Sequence, residues 1–259
     1  MKRLSTALVV GAILFASALT VNSQQVAQAN PNCPDLLFIG VVGSGQRKTD
    51  RFASPQMAGI DNYFSEVVGR YRGTYKVEGI VYPASGVKVL ISDPLAYRES
   101  MDIGLSKLKS VFDGYDKRCK GGDRPTIIVG GYSQGAAVVN RFARTLNDRQ
   151  LKGTSFILVA DPLRTPDEGT YVATGSAKYS GGIVWATGRK GYMGVSGALT
   201  LPKPLAPRSV SVCNTWDIVC DFNYLNLPTI STGILVHTDS YTRDQMRHAA
   251  AIAYTRASV

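Results

Sequence analysis

One transition in the chain narrows its fold more than any other. Thr126 to Val129 is an apolar run that breaks on Gly130, and Gly131-Tyr132-Ser133-Gln134-Gly135 then leads into Ala136-Ala137-Val138-Val139. A strand that turns this sharply into a helix has no room for side chains on either side of the serine, hence Gly131 and Gly135. The pattern predicts a nucleophile elbow, with the Ser133 hydroxyl projected above a sheet at a helix N-terminus. A turn serine that caps the helix is the plainer alternative.

The rest of the chain is read around that elbow. Leu36 to Val42 is a continuous apolar run ending in Gly43-Ser44-Gly45, as a buried strand feeding a tight loop would be. Met57, Ile60, Phe64, Val67, Val68 and Tyr71 recur at helical spacing, and so do Tyr97, Met101, Leu105, Leu108 and Phe112. Val77 to Tyr82, Phe156 to Ala160, Val210 to Cys213 and Ile234 to Val236 read as further strands. Residues 134–148 and 241–257 read as helices. Strands alternating with helices predict an α/β fold, a mostly parallel sheet covered by helices on both faces. Functional groups of such sheets gather outside the carboxyl ends of the strands. Residues 165–208 interrupt the alternation; rich in glycine, with Tyr171, Tyr179, Trp185, Tyr192 and Met193, they read as a lid-like insertion with little regular structure.

A serine hydroxyl needs a base, and the chain has 2 histidines. His237 follows the Ile234–Val236 run at the expected carboxyl edge, whereas His248 lies within the terminal helix, so His237 is the candidate base. The orienting acid should fall between Ser133 and His237. Asp217 stands between Cys213 and Cys220, where a short disulfide loop would hold it rigidly. Asp161, beside a proline after a strand, and Asp221 are the rivals. Oxyanion donors are expected at the Gln134 N–H and at Ser44 in the early glycine turn. Gly40-Val41-Val42-Gly43-Ser44-Gly45 is no phosphate cradle: Gln46 and Arg47 stand where a P-loop needs lysine, and the third Rossmann glycine is missing.

Lys2 and Arg3, the uncharged run Ala7–Val21 and Ala27-Gln28-Ala29 form a secretory signal pattern. This predicts a signal peptide over 1–29 and a single domain over 30–259, secreted and with no membrane span after cleavage. Export suits the 4 cysteines, which permit two disulfides in three pairings; Cys213 and Cys220 could close a small loop, leaving Cys33 with Cys119. Zinc is a poor competitor, with no C-x-x-C pair and only two histidines, so disulfides are the better reading of the cysteines. The net charge of +10 includes Lys117, Arg118, Lys120 and Arg124 around one loop and Arg141, Arg144 and Arg149 later. A solvated basic face explains it, attraction to an anionic envelope or lipid surface is compatible with it, and nucleic acid is not expected.

Taken together, Gly131-Tyr132-Ser133-Gln134-Gly135-Ala136-Ala137 and Cys213-Asn214-Thr215-Trp216-Asp217-Ile218-Val219-Cys220 resemble the cutinase family of secreted serine esterases. Cys33-Pro34-Asp35, Tyr82-Pro83-Ala84 and His237-Thr238-Asp239-Ser240-Tyr241 agree, most closely with the cutinase-like proteins of mycolic-acid-bearing actinobacteria. The resemblance implies a small α/β-hydrolase fold, Ser133, Asp217 and His237 as a triad, and Ser44 with Gln134 at the oxyanion hole. It also implies bridges Cys33–Cys119 and Cys213–Cys220, no cofactor, and ester substrates with an acyl chain, including envelope mycolate esters. Three positions depart from the pattern: Val42 for arginine, Gln46 for glutamate and Trp216 for glycine. They leave room for an envelope-binding protein on an esterase scaffold, or for an acyltransferase or polysaccharide deacetylase.

Overall fold

A computed structural model of the 259-residue chain describes residues 32–46, 54–70, 73–166, 171–173, 175–223 and 229–257. The signal-peptide reading, Tyr71 and part of 165–208 lie outside the described residues. The strands are β1 (Leu36–Val41), β2 (Tyr75–Ile80), β3 (Thr126–Tyr132), β4 (Thr154–Val159), β5 (Tyr171–Ala173) and β6 (Ser209–Cys213). They form one sheet in the order β2-β1-β3-β4-β6-β5, and every pairing is parallel. The helices are α1 (Pro55–Arg70), α2 (Val87–Ser92), α3 (Pro94–Arg118), α4 (Gln134–Ala143), α5 (Asp148–Leu151), α6 (Ile183–Thr187), α7 (Ile230–Asp239) and α8 (Arg243–Arg256).

The two sides of the central strands β1, β3 and β4 go to different cores. Leu37, Ile39, Val41, Ile127, Val129, Phe156 and Leu158 pack with Tyr97, Met101, Leu108 and Phe112 of α3 and with Val138 and Phe142 of α4. Leu36, Phe38, Ile128, Ile157, Val159, Val210 and Val212 pack with Met57, Ile60 and Phe64 of α1 and the alanine face of α8. Burial on both faces is why β1, β3 and β4 read as continuous apolar runs instead of alternating ones. Cys33–Cys119 and Cys213–Cys220 are the disulfides, and no cysteine is free.

Three sequence expectations are corrected. Ile234 to Val236 is not a strand but the middle of α7, whose N-terminus Thr229 caps by accepting the Thr232 N–H at 3.0 Å. A three-residue apolar run cannot distinguish the two periods, and here Ile234 and Leu235 are exposed instead of lining a sheet. Residues 134–148 do not form one helix: α4 ends at Ala143, and Asn147 starts α5 with a capping box to Gln150. The 165–208 stretch is more regular than its composition suggested. It supplies the edge strand β5, α6 and several 3₁₀ turns, and it buries Val184, Met193, Val195, Leu201 and Leu205 against the α3–α4 side of the sheet.

The basic residues are partly consumed within the fold. Arg149 makes a bidentate pair with Asp116 at 3.0 and 2.6 Å. Arg124 donates to the Arg149 and Gln150 carbonyls, Arg141 pairs with Asp102, and Arg144 reaches the Ala198 and Leu199 carbonyls.

Candidate active site

At the carboxyl end of β3 the backbone turns at Ser133 with φ 54 and ψ −119, a region an L-residue occupies at a cost of about 1–3 kcal/mol. Packing enforces the turn. A Cβ on Gly131 would lie 2.3 Å from the Gly135 carbonyl oxygen, and one on Gly135 would lie 2.3 Å from that of Val41. Any larger residue at either position would push β1, β3 and α4 apart. Ser133 stands at the N-cap position of α4, yet its side chain makes no cap hydrogen bond. Its Oγ lies instead 3.0 Å from His237 Nε2.

His237 sits on the last turn of α7 and continues the row. Its Nδ1 is 3.0 Å from both Asp217 oxygens. A carboxylate only accepts hydrogen bonds, so Nδ1–H donates to it and Nε2 is left to accept from the Ser133 hydroxyl. The imidazole is held from the side by Tyr132, whose ring stacks on it at 5.1 Å and 17° and whose hydroxyl donates to the His237 carbonyl at 2.6 Å.

Asp217 is fully buried in the loop closed by Cys213–Cys220. Its Oδ1 accepts the Val219 N–H at 2.7 Å and the Cys220 N–H at 3.4 Å, and its Oδ2 accepts the Tyr241 hydroxyl at 2.5 Å. A buried carboxylate with this many donors remains oriented without help from solvent. Burial, reinforced by the Asp217 charge, raises the Tyr132 and Tyr241 phenols above their ordinary range, so both remain protonated donors.

The rival residues are engaged elsewhere. Asp161 is buried and accepts from the Leu163 N–H at 2.9 Å and from Asn140 Nδ2 at 2.7 Å; burial raises its pKa despite those bonds. Asp221 accepts the Trp216 N–H at 2.6 Å and the Ser180 hydroxyl. His248 is exposed on α8.

Of the candidate oxyanion donors, Gln134 follows Ser133 directly and Ser44 lies in the turn after β1. Gln134 opens α4, and its side-chain Nε2 contacts the Ser85 carbonyl at 3.5 Å. Ser44 Oγ is 2.8 Å from the Tyr97 hydroxyl, and Gln46 shapes the turn by accepting the Gly43 N–H at 2.8 Å. Burial raises the Tyr97 phenol, and its hydrogen bonds with Ser44 and Gln134 oppose that shift. Of the three departures, Gln46 thus has a local role. Val42 is buried, and its carbonyl accepts the Tyr82 hydroxyl. Trp216 is 47% exposed at φ 70, a conformation natural to glycine, which costs tryptophan about 1–2 kcal/mol.

Sequence reasoning missed the three tyrosines around the row. Tyr132 occupies the variable position inside Gly-x-Ser-x-Gly, Tyr241 closes the His237–Tyr241 motif, and Tyr97 reads as one more apolar position of α3. Only the first two had a signal, which was their closeness in sequence to the candidate residues. Among the described residues, no group of three or more His, Cys, Asp or Glu side chains could hold a metal ion. No described helix is long and apolar enough to cross a membrane.

The cutinase family model matches residues 32–256. The chain belongs to the cutinase family. As a member of it, the protein is a serine carboxylic ester hydrolase of the α/β-hydrolase superfamily. A search of curated proteins finds no match. Among solved structures, a cutinase-like protein from Cryptococcus sp. is similar over 88% of this chain and 97% of its own, at 18% identity and TM-score 0.58. An acetylxylan esterase aligns over 87% of this chain and 99% of its own, at 18% identity and TM-score 0.59. At that identity they share the fold.

Proposed function

We propose that the protein hydrolyses lipid or fatty-acyl esters through an acyl-enzyme, with Ser133 as nucleophile, His237 as base and Asp217 as the orienting acid. Ser133 Oγ attacks the ester carbonyl while its proton passes to His237 Nε2. The tetrahedral oxyanion is received by the backbone N–H groups of Gln134 and Ser44, and Tyr97 steadies Ser44 through its hydroxyl. Collapse of the intermediate returns the proton to the leaving alcohol, and water then repeats the cycle on the acyl-serine. Asp217 stabilises the imidazolium that forms in each half-reaction.

The observation that carries this reading is the continuous row Ser133 Oγ–His237 Nε2, His237 Nδ1–Asp217, with each gap at 3.0 Å. The two disulfides support an oxidising, extracellular destination. A fluorophosphonate probe tests the chemistry. Wild type is expected to label at Ser133, Ser133→Ala not at all and His237→Ala only slowly. Folded wild type that never reacts would favour a binding protein.

A further inference from the structure

Arg164 carries a charge, yet it is the largest fully buried side chain among the described residues. Burying a charge is costly unless hydrogen bonds replace the lost water. Its Nη1 donates to the Ser180 carbonyl at 2.6 Å and to the Cys220 carbonyl at 3.0 Å, and its Nη2 donates to the Ala177 carbonyl. Those carbonyls belong to two segments, one within 165–208 and one at the end of the disulfide loop that holds Asp217. A rigid, planar fork holds three acceptors in fixed directions; a lysine ammonium on its flexible stem does not.

The same two segments are stitched together beside the guanidinium. The Ser180 hydroxyl donates to the Asp221 carboxylate, whose other oxygen accepts the Trp216 N–H at 2.6 Å. The Phe222 N–H donates to the Gly181 carbonyl at 2.9 Å, and the Ile183 N–H to the Val219 carbonyl at 2.8 Å. Val219 and Cys220, which give their N–H groups to Asp217, therefore have their carbonyls held by Ile183 and Arg164. The peptide after Cys220 is gripped from both sides as well. Arg164 bonds its carbonyl, and its N–H, that of Asp221, donates to the Asp217 carbonyl at 2.8 Å. Hydrogen bonds in such chains polarise one another, so a donor on the carbonyl side strengthens the bond made by the N–H.

We propose that Arg164 is a positioning residue for Asp217, at the head of a grip that the Ile183 N–H completes. The Cys213–Cys220 disulfide ties the loop at its two ends but does not fix the peptide planes between them. The guanidinium fixes the plane at Cys220 and locks it to Ala177 and Ser180. The proposal rests on the reading of Asp217 as the orienting acid. It gives the 165–208 segment a part in the chemistry, because the carboxylate that orients His237 is set in place from that segment's side.

Arg164→Lys keeps the charge and loses the fork. The test measures kcat and KM on p-nitrophenyl butyrate, with active sites counted by fluorophosphonate titration so that unfolded protein does not enter. It also follows the proton NMR signal of His237 Nδ1–H, which reads the bond to Asp217. A kcat about tenfold lower per titrated site is expected, with KM within about twofold of wild type and a shifted or broadened Nδ1–H signal. A wild-type kcat and an unmoved signal, whatever the melting temperature, would make Arg164 a structural staple and overturn the proposal while the esterase reading stands. A wild type that neither labels nor turns over overturns both. If Arg164→Lys does not fold, Ile183→Pro decides. Gly182 is extended at φ −71 and ψ 165, so proline fits the first position of α6 and removes the N–H held to Val219. Its kcat is expected to fall at least about threefold with KM kept, and an unchanged kcat overturns the proposal.

Discussion

The two edges of the sheet are built to different rules. At the amino edge, Cys33–Cys119 joins the approach to β1 with the end of α3. Asp35 and Thr74 knot β1 to β2: the Asp35 carboxylate accepts the Thr74 N–H at 2.6 Å and its hydroxyl at 2.8 Å. At the carboxyl edge the backbone is strained. The four non-glycine residues with positive φ among the described residues, Ala84, Ser133, Ala160 and Trp216, each follow the carboxyl end of a strand, namely β2, β3, β4 and β6. Buried Asp161, Arg164, Asp217 and Asp221 crowd the same edge. One edge favours stability, while the other tolerates strain and buried charge in order to hold reactive groups.

Ser133→Ala breaks the comparison most sharply if it is wrong. Its kcat should fall about 10⁴–10⁶-fold with a melting temperature close to wild type, because alanine keeps the turn and loses only the proposed nucleophile. Esterase assay and calorimetry on the same sample decide it.

The disulfides sharpen the comparison, because they sit at opposite edges and close loops of very different size, with separations of 86 and 7 residues. Chain-entropy arguments give about 4.6 kcal/mol for the longer loop and about 2.5 kcal/mol for the shorter. Replacing Cys33 and Cys119 with serine should therefore cost more stability, measured by urea unfolding, and leave kcat/KM of the folded fraction within about twofold. Replacing Cys213 and Cys220 should cost less stability but at least tenfold in kcat/KM, because Asp217 loses its rigid loop. Equal effects on activity would erase the distinction between the edges.

Tyr241→Phe is a finer probe. It removes one donor from buried Asp217, and a hydrogen bond to a charged group is worth about 1.5–3 kcal/mol, so kcat/KM should fall about 10- to 100-fold. Esterase kinetics on protein of unchanged melting temperature measure it: a loss in kcat with KM kept is expected, and an unchanged rate would mean that the Cys213–Cys220 loop orients the acid without Tyr241.

Asp35→Asn is the smallest effect. Hydrogen bonds from Thr74 hold the Asp35 carboxyl below its ordinary range, so its stabilisation is present at neutral pH and lost as pH falls through the lowered value. The site is largely exposed, so the cost at neutral pH should stay below about 1 kcal/mol and the difference from wild type should vanish in acid. Urea midpoints at the two pH values measure it.

The architecture was largely legible because its central strands β1, β3 and β4 are buried on both faces, so each announces itself as an apolar run bounded by turn residues. The elbow was legible for a steric reason, since only glycine fits at 131 and 135. His237 is instructive in a different way. Its position near the carboxyl edge was anticipated, but the element carrying it was not, because Ile234-Leu235-Val236 is apolar without being buried in the sheet. The regular structure of 165–208 was hidden by its glycine content, since short helices and turns there are specified by what they pack against.

Local chemistry along the chain was enough to determine the parallel α/β sheet, the strained turn at Ser133 and the residue types able to perform acyl transfer, because sterics and burial act over a few residues at a time. Tertiary structure alone decided that Tyr132 and Tyr241 brace the imidazole and the acid, that Ser133 bonds His237 instead of capping its helix, and that Arg164 joins Cys220 to Ser180. Those choices depend on side chains tens to more than a hundred positions apart meeting in one place, and no local pattern encodes such a meeting.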